Sequence, residues 1–345
     1  MRKLVQKFQL VLALCVLSVH ATAAIVSATL PASRSVQVGQ IAHAFATIIN
    51  TGVGTANACG LALGTTLDAS FAYSLTDPFT NLIDDSVGAN TPVDIPAGAS
   101  QSYVFSIAPG SVLAVTDVEI VFDCDNTEPA PVHTGLNTIL LSASTDPVAD
   151  VIALASGVGI VDVPGEARIG AFAVASVNVG VGADITVTAD DGGGGLPIST
   201  LLCQTDPAAG TCINPTVASA APVGVTIDGD ATPTFAVFVV ATDTVEFDPA
   251  VHRVFVRFKD AGGTTRGATS VAVRTCAVGD TDCDGSVDVA SSPRGVQIPV
   301  SDGDGHPTFL SPHVDPIVIS NGLVYATNTP ADTVDVIDMT SWLVV

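Results

Sequence analysis

Polar and apolar positions alternate with period two through many short segments of this chain. In QSYVFSI, Tyr103, Phe105 and Ile107 share one face, and in VEIVFDC so do Val118, Ile120, Phe122 and Cys124. TFAVFVV groups Phe235, Val237 and Val239, while RVFVRFK groups Val254, Val256 and Phe258. Gly, Pro, Asp and Asn interrupt these runs at short intervals. Period-two alternation between turns predicts antiparallel strands packed as β-sandwiches. No segment shows the period of an amphipathic helix, so the expected class is all-β.

The pattern also repeats. AHAFATIINTGVGTA, from residue 42, resembles GAFAVASVNVGVGAD, from residue 170; SQSYVFSI parallels TPTFAVFV, and VEIVFDCDN parallels RVFVRFKDA. Generic likeness among sandwich strands is one explanation. The matched order of three segments favours duplication, giving two tandem immunoglobulin-like sandwiches at 24–145 and 146–275. An Asp/Gly-rich linker (276–310) and a short C-terminal β-sheet segment (311–345) complete the expected order.

Charge narrows the setting. The 345 residues carry a formal net charge of −23, and the basic start (Arg2, Lys3, Lys7) precedes an apolar run from Leu10 to Val19 and then Ala21-Thr22-Ala23. That is the form of a secretory signal peptide, residues 1–23. Export is therefore expected, to the extracellular space, the cell surface or the periplasm. Loss of the three leader bases takes the charge to −26, with Lys259 the one remaining lysine. Such a surface repels nucleic acid and anionic membranes and attracts cations. The acids are nearly all Asp, which suits turns and cation loops better than helices. High acidity combined with a mean hydropathy of +0.53 is unlike a disordered chain.

Six cysteines remain after removal of the leader: Cys59, Cys124, Cys203, Cys212, Cys276 and Cys283. An even number in an exported chain points to disulfides, and proximity selects 59–124, 203–212 and 276–283. Free buried thiols are the alternative.

The first copy resembles the bacterial immunoglobulin-like modules of exoproteins and adhesins, through IINTGVGTA and VDIPAGASQSYVFSI. In that topology Cys59 opens the third strand and Cys124 ends the sixth. These strands are antiparallel neighbours, which favours the pair. The resemblance implies a fold and no particular function.

The most specific chemistry lies in GDTDCDGSVD. Asp280, Asp282, Asp284, Gly285 and Asp288 fall at positions 1, 3, 5, 6 and 9 of a calcium loop, and Ser286 would offer its carbonyl at position 7. The run resembles the aspartate-rich repeats of dockerins and thrombospondin type 3 units. Ser291 stands where a bidentate acid belongs, which weakens the site or calls for Asp302 or Asp304. A solvated acidic linker is the competing reading, and Ca2+ is the only cofactor expected. The histidines are scattered, no CxxC, HExxH or G-x-S-x-G occurs, and the run from Asp190 to Gly195 reads as a hairpin loop. No catalytic residue is expected.

The end of the chain, SPHVDPIVISNGLVYATNTPADTVDVIDMTSWLVV, resembles a YVTN-type β-propeller blade. It has a proline-led strand, a glycine turn, V-Y-x-T-N and V-x-V-I-D, and it halts inside the blade's last strand. One blade cannot bury the faces it presents, so the expectation is a truncated product or fragment; an independent terminal hairpin is the alternative. Two functions follow. One is a non-catalytic surface or extracellular module serving as spacer, adhesion or binding unit, whose partner would be a protein or a surface glycan. The other is the N-terminal part of a propeller enzyme or electron-transfer exoprotein.

Overall fold

The computed structural model describes residues 23–78, 80–165, 167–278, 280 and 283, with the backbone of 317–320, 323–328 and 333–338. Every regular element among them is a strand. The strands build two tandem immunoglobulin-like sandwiches, which belong to one compact unit, and a separate three-stranded sheet in a second unit.

The first sandwich contains β1 (Ile25–Leu30), β2 (Ser33–Gln37), β3 (Ala42–Asn50), β4 (Ala56–Leu63), β5 (Ala69–Thr76), β6 (Val93–Ile95), β7 (Ser100–Pro109), β8 (Leu113–Asp123) and β9 (Thr138–Ser144). One sheet has the order β1-β3-β7-β5 and the other β2-β9-β8-β4-β6. All pairs are antiparallel except β2 with β9. The chain crosses from the first sheet to the second between β1 and β2, so a single initial segment edges both sheets. Tyr103, Phe105 and Ile107 of β7 meet Val118, Ile120 and Phe122 of β8 in one core. The period-two pattern read along the chain is the pattern of burial.

The second sandwich repeats this plan. Its strands are β10 (Val151–Ala155), β11 (Ile160–Val163), β12 (Ile169–Asn178), β13 (Ala183–Asp190), β14 (Ile198–Thr205), β15 (Cys212–Ser219), β16 (Val223–Ile227), β17 (Thr234–Ala241), β18 (Arg253–Asp260) and β19 (Thr265–Thr275). The sheets run β10-β12-β17-β14-β15 and β11-β19-β18-β13-β16, with β11 parallel to β19. Strand for strand this is the first order again, with β15 added beside β14. Phe235, Val237 and Val239 pack with Val254, Val256 and Phe258 in a second core.

One sequence expectation is corrected. Residues 190–195 do not close a hairpin, because β13 and β14 lie in different sheets. The segment is a crossover between the layers, and its glycines serve the turn: Gly192, Gly193 and Gly195 all have positive φ. Alternation identifies strands, but it does not say which sheet the next strand joins.

In the second unit, β20 (Ile317–Ser320), β21 (Leu323–Asn328) and β22 (Thr333–Asp338) form an antiparallel meander.

Candidate functional site

The cysteines lie at three kinds of position. Cys59 is on β4 and Cys124 directly follows β8; since Gly60 pairs with Asp123, the two cysteines fall opposite each other and are joined. Their bond ties neighbouring strands of one sheet. Cys203 on β14 is joined to Cys212 at the start of β15, closing the tip of that hairpin. Cys276, one residue beyond β19, is joined to Cys283.

That last bond sits in the acidic run. Of its proposed ligands, Asp280 is described; Asp282, Asp284, Ser286 and Asp288 lie outside the described residues. Asp280 is 3% exposed, and its amide donates to the Ala277 carbonyl at 3.0 Å. A solvating acid of an open linker would be exposed. Asp162, Cys276 and Cys283 bring potential ligand atoms within 4.8 Å of one another. The two sulfurs are bonded to each other, however, and the Asp162 carboxylate is held by Arg274 Nε at 2.6 Å. That trio is a structural knot and offers no thiolate for a metal.

The described histidines occupy three separate elements. His43 lies on β3 and gives its carbonyl to Arg34. His133 lies in the turn before β9 and donates its amide to Asn137 Oδ1, and His252 Nδ1 meets the Glu246 carbonyl at 2.8 Å. His306 and His313 lie outside the described residues. A surface hollow of about 480 Å3 beside β5 is lined by Thr76, Asp77, Thr80, Asp84 and Gln101. Its carboxylates close local turns: Asp77 accepts from Thr80, and Asp84 accepts from the Ser86 hydroxyl and amide. Those bonds from Ser86 hold the Asp84 carboxyl below its usual range.

The other shifted groups are structural. Burial lifts the phenol of Tyr103 well above its ordinary value, and the adjacent Tyr73 adds to the effect. Burial also lifts the Tyr73 phenol, against a smaller opposing contribution from a backbone hydrogen bond at Leu61. The two rings meet edge to face at 5.7 Å. Arg253 is lowered by desolvation and is held by the Pro249 carbonyl at 2.6 Å and by Ser270.

The densest polar constellation lies at the joint between the sandwiches. Asp150, 4% exposed, stands at the end of the connection from β9 to β10. Its Oδ2 accepts from Arg34 Nε at 2.9 Å and from Arg34 Nη2 at 2.8 Å, and its Oδ1 from the Ser35 amide at 2.8 Å. Its own amide donates to Asn178 Oδ1 at 3.0 Å. Nearby, the Ala268 amide donates to Ser33 Oγ at 2.5 Å, and Ser270 Oγ donates to the Gly135 carbonyl at 2.8 Å. The Phe255 ring lies so close to Gly135 that a Cβ there would collide with it. Arg257 covers that ring at 4.8 Å and pairs with Asp190. Two guanidinium nitrogens on one carboxylate oxygen, with the Ser35 amide on the other, fix the orientation of this buried carboxylate as well as its distance.

Nothing local in the sequence marks these groups. Arg34 and Asp150 sit in unremarkable turn-rich stretches, and the scarcity of arginine was the one available hint. Asn50 and Asn178 were visible as the shared N-x-G of the duplication, though their buried role was not.

No protein-family model and no curated protein matches the chain. Among solved structures it is similar to BcpA, the major pilin subunit of Bacillus cereus, at 10% identity and a TM-score of 0.24, over 73% of this chain and 70% of that one. A point variant of BcpA aligns with the same values. A protein of unknown function from Porphyromonas gingivalis W83 aligns at 9% identity and a TM-score of 0.22, over 72% of this chain and 98% of that one. At these values no statement about function passes from those proteins to this one. Among the described residues, no helix is long and apolar enough to cross a membrane.

Proposed function

We propose that the chain is an exported, non-catalytic structural or binding module: a spacer or adhesion unit built from two rigidly joined sandwiches. The observation that supports this most directly is the joint. A flexible linker would leave Asp150 solvated; instead it is buried and clamped by Arg34, with Ser33, Gly135 and Phe255 completing the contact. Such a joint keeps the two ends of the tandem at a fixed separation, which a spacer requires. Three disulfides suit an oxidising compartment. The partner is taken to be a protein or a surface glycan, and the run from Asp280 to Asp288 a calcium loop.

Small-angle scattering of the full chain tests the reading. A sharp distance distribution for the tandem is expected, broadening in Asp150→Ala. Robust turnover of ester, peptide, glycoside or redox-dye substrates, abolished by one substitution, would overturn it.

A second reading rests on the β20-β21-β22 meander, whose strands carry V-Y-x-T-N and V-x-V-I-D. On this reading the sandwiches are the front of a propeller enzyme or electron-transfer exoprotein. A downstream reading frame encoding further repeats of that pattern would favour it.

A further inference from the structure

Charge is partitioned between the two sheets of each sandwich. In the second sandwich, β10, β12, β17, β14 and β15 contain no Asp, Glu, Lys or Arg. The opposing sheet carries Asp162, Asp184, Asp190 and Asp260 together with four arginines and Lys259. The first sandwich follows suit, with β1, β3, β7 and β5 free of those four residue types. A sheet with one solvated face alternates apolar inside with polar outside. Here the outward positions of β12 are Ile169, Ala171, Ala173 and Ala175, and Ile169 is 50% exposed. Leu154 on β10, also outward, is 45% exposed. The chain carries a net charge of −23, and this face has no part in it.

The face has a shape as well. Ala171 pairs with Phe238 of β17, Ala173 with Ala236, and Ile169 with Val240. Ala171, Ala173 and Ala175 form a short trough of methyl groups on β12, beside a ridge on β17 that is raised at Phe238 and lower at Ala236 and Thr234. A two-fold axis between β12 and β17 would lay the ridge of each copy in the trough of the other, an isologous arrangement. Four strands of about eight residues, at the spacings of a sheet, present roughly 500 Å2 per copy and so about 1,000 Å2 for the pair. That is the size of a weak, reversible interface, just under the roughly 1,200 Å2 at which stable ones begin. On this face two copies can touch without burying a carboxylate, as they could not on the charged sheet opposite.

We propose that the outer face of β10-β12-β17-β14 is a self-association surface whose occupant is a second copy of this chain, packed sheet on sheet. The inference does not depend on the spacer reading, because a propeller front end would carry the same face.

Sedimentation velocity of the full chain at micromolar concentrations, in low and high salt, provides the test. Self-association is expected, and it should strengthen with salt, since screening weakens acid–acid repulsion and no interfacial ion pair is lost. Ala173→Asp and Ala175→Lys should each weaken it by roughly a hundredfold or more, because each buries an unpaired charge. The two variants change the net charge in opposite directions, so a shared effect locates the interface. Circular dichroism and thermal melts check that both fold, and Asp184→Ala, on the other sheet, should associate as the wild type does. A wild type that stays monomeric throughout overturns the proposal. So does a variant pair that associates normally.

Discussion

Asn50 and Asn178 hold the same post in the two sandwiches. Both are fully buried. Asn50 Nδ2 donates to the Ile95 carbonyl at 2.9 Å and Asn178 Nδ2 to the Ile227 carbonyl at 3.1 Å, in each case the last residue of a short edge strand. Each side-chain oxygen accepts from the amide two residues on, Gly52 at 3.0 Å and Gly180 at 3.1 Å. The backbone repeats as well: the Asn50 carbonyl accepts from Gly98 and that of Asn178 from Asp230, both residues with positive φ. A second matched pair, Thr76 with Ser102 and Thr205 with Thr234, lies on the corresponding strands. Shared buried polar geometry of this kind is stronger support for duplication than shared alternation, which any sandwich strand shows.

Replacing either asparagine with Ala leaves buried carbonyls without a donor. Each loss should destabilise its own sandwich by about 1–3 kcal/mol. Asn178→Ala should cost more than Asn50→Ala, because Asn178 also accepts from the Asp150 amide. Urea unfolding followed by a probe in each sandwich measures both. Equal effects of the two variants on both sandwiches would contradict the assignment.

The joint predicts coupled unfolding. Removing Arg34 strands a buried carboxylate, a change that typically costs about 3–5 kcal/mol. Arg34→Ala should therefore lower the stability of the tandem and move the transitions of the two sandwiches further apart, whereas Arg34→Ala with Asp150→Asn should recover part of the loss. Calorimetry on the single and double variants checks this. Unchanged unfolding in Arg34→Ala would mean the sandwiches unfold independently of the clamp.

Legibility in the sequence followed the physics of each feature. Strands such as β7 and β18 were readable because a half-buried strand must alternate, and Tyr103, Phe105 and Ile107 state that phase locally. The cysteine pairs were readable because short separations and neighbouring strands limit which sulfurs can meet. The crossover at 190–195 was misread because a glycine-rich turn looks alike whether it returns within a sheet or passes to the other one. Arg34 and Asp150 were not legible at all. They lie 116 residues apart, and nothing local to either records that the two sandwiches close on each other. The uncharged sheets were in plain view in the composition of each strand, but their meaning required knowing which strands share a sheet.

Calcium is testable at the acidic run. Asp280, the described acid of the run, is 3% exposed. Weak to moderate binding is expected, with Ser291 in the place of the bidentate acid. Titration calorimetry should give heat with the wild type and none with Asp282→Ala plus Asp284→Ala. Equal heats in both would assign the acids to solvation.

Alkaline stability should distinguish the two sandwiches. The core of the first includes Tyr73 and Tyr103, while the edge-to-face pair in the core of the second is Phe235 with Phe258, which cannot ionise. Burial raises both phenols above their ordinary value of 10.0 in the folded chain. The folded state therefore holds these protons after the unfolded state has released them. Their contribution is fully present below the unfolded value and is lost as pH rises beyond it toward the folded values. Above about pH 10 the first sandwich should lose stability with each step of pH, while the second changes little from this source. Tyr103→Phe removes the larger of the two shifted groups, and with it the hydroxyl's 3.4 Å contact to the Cys59 carbonyl. That variant should start slightly less stable at neutral pH and then decline less steeply on the alkaline side. Thermal melts from about pH 7 to beyond about pH 10, read by probes in each sandwich, decide the matter. A second sandwich that fails first, or a Tyr103→Phe slope as steep as that of the wild type, would place the alkaline sensitivity elsewhere.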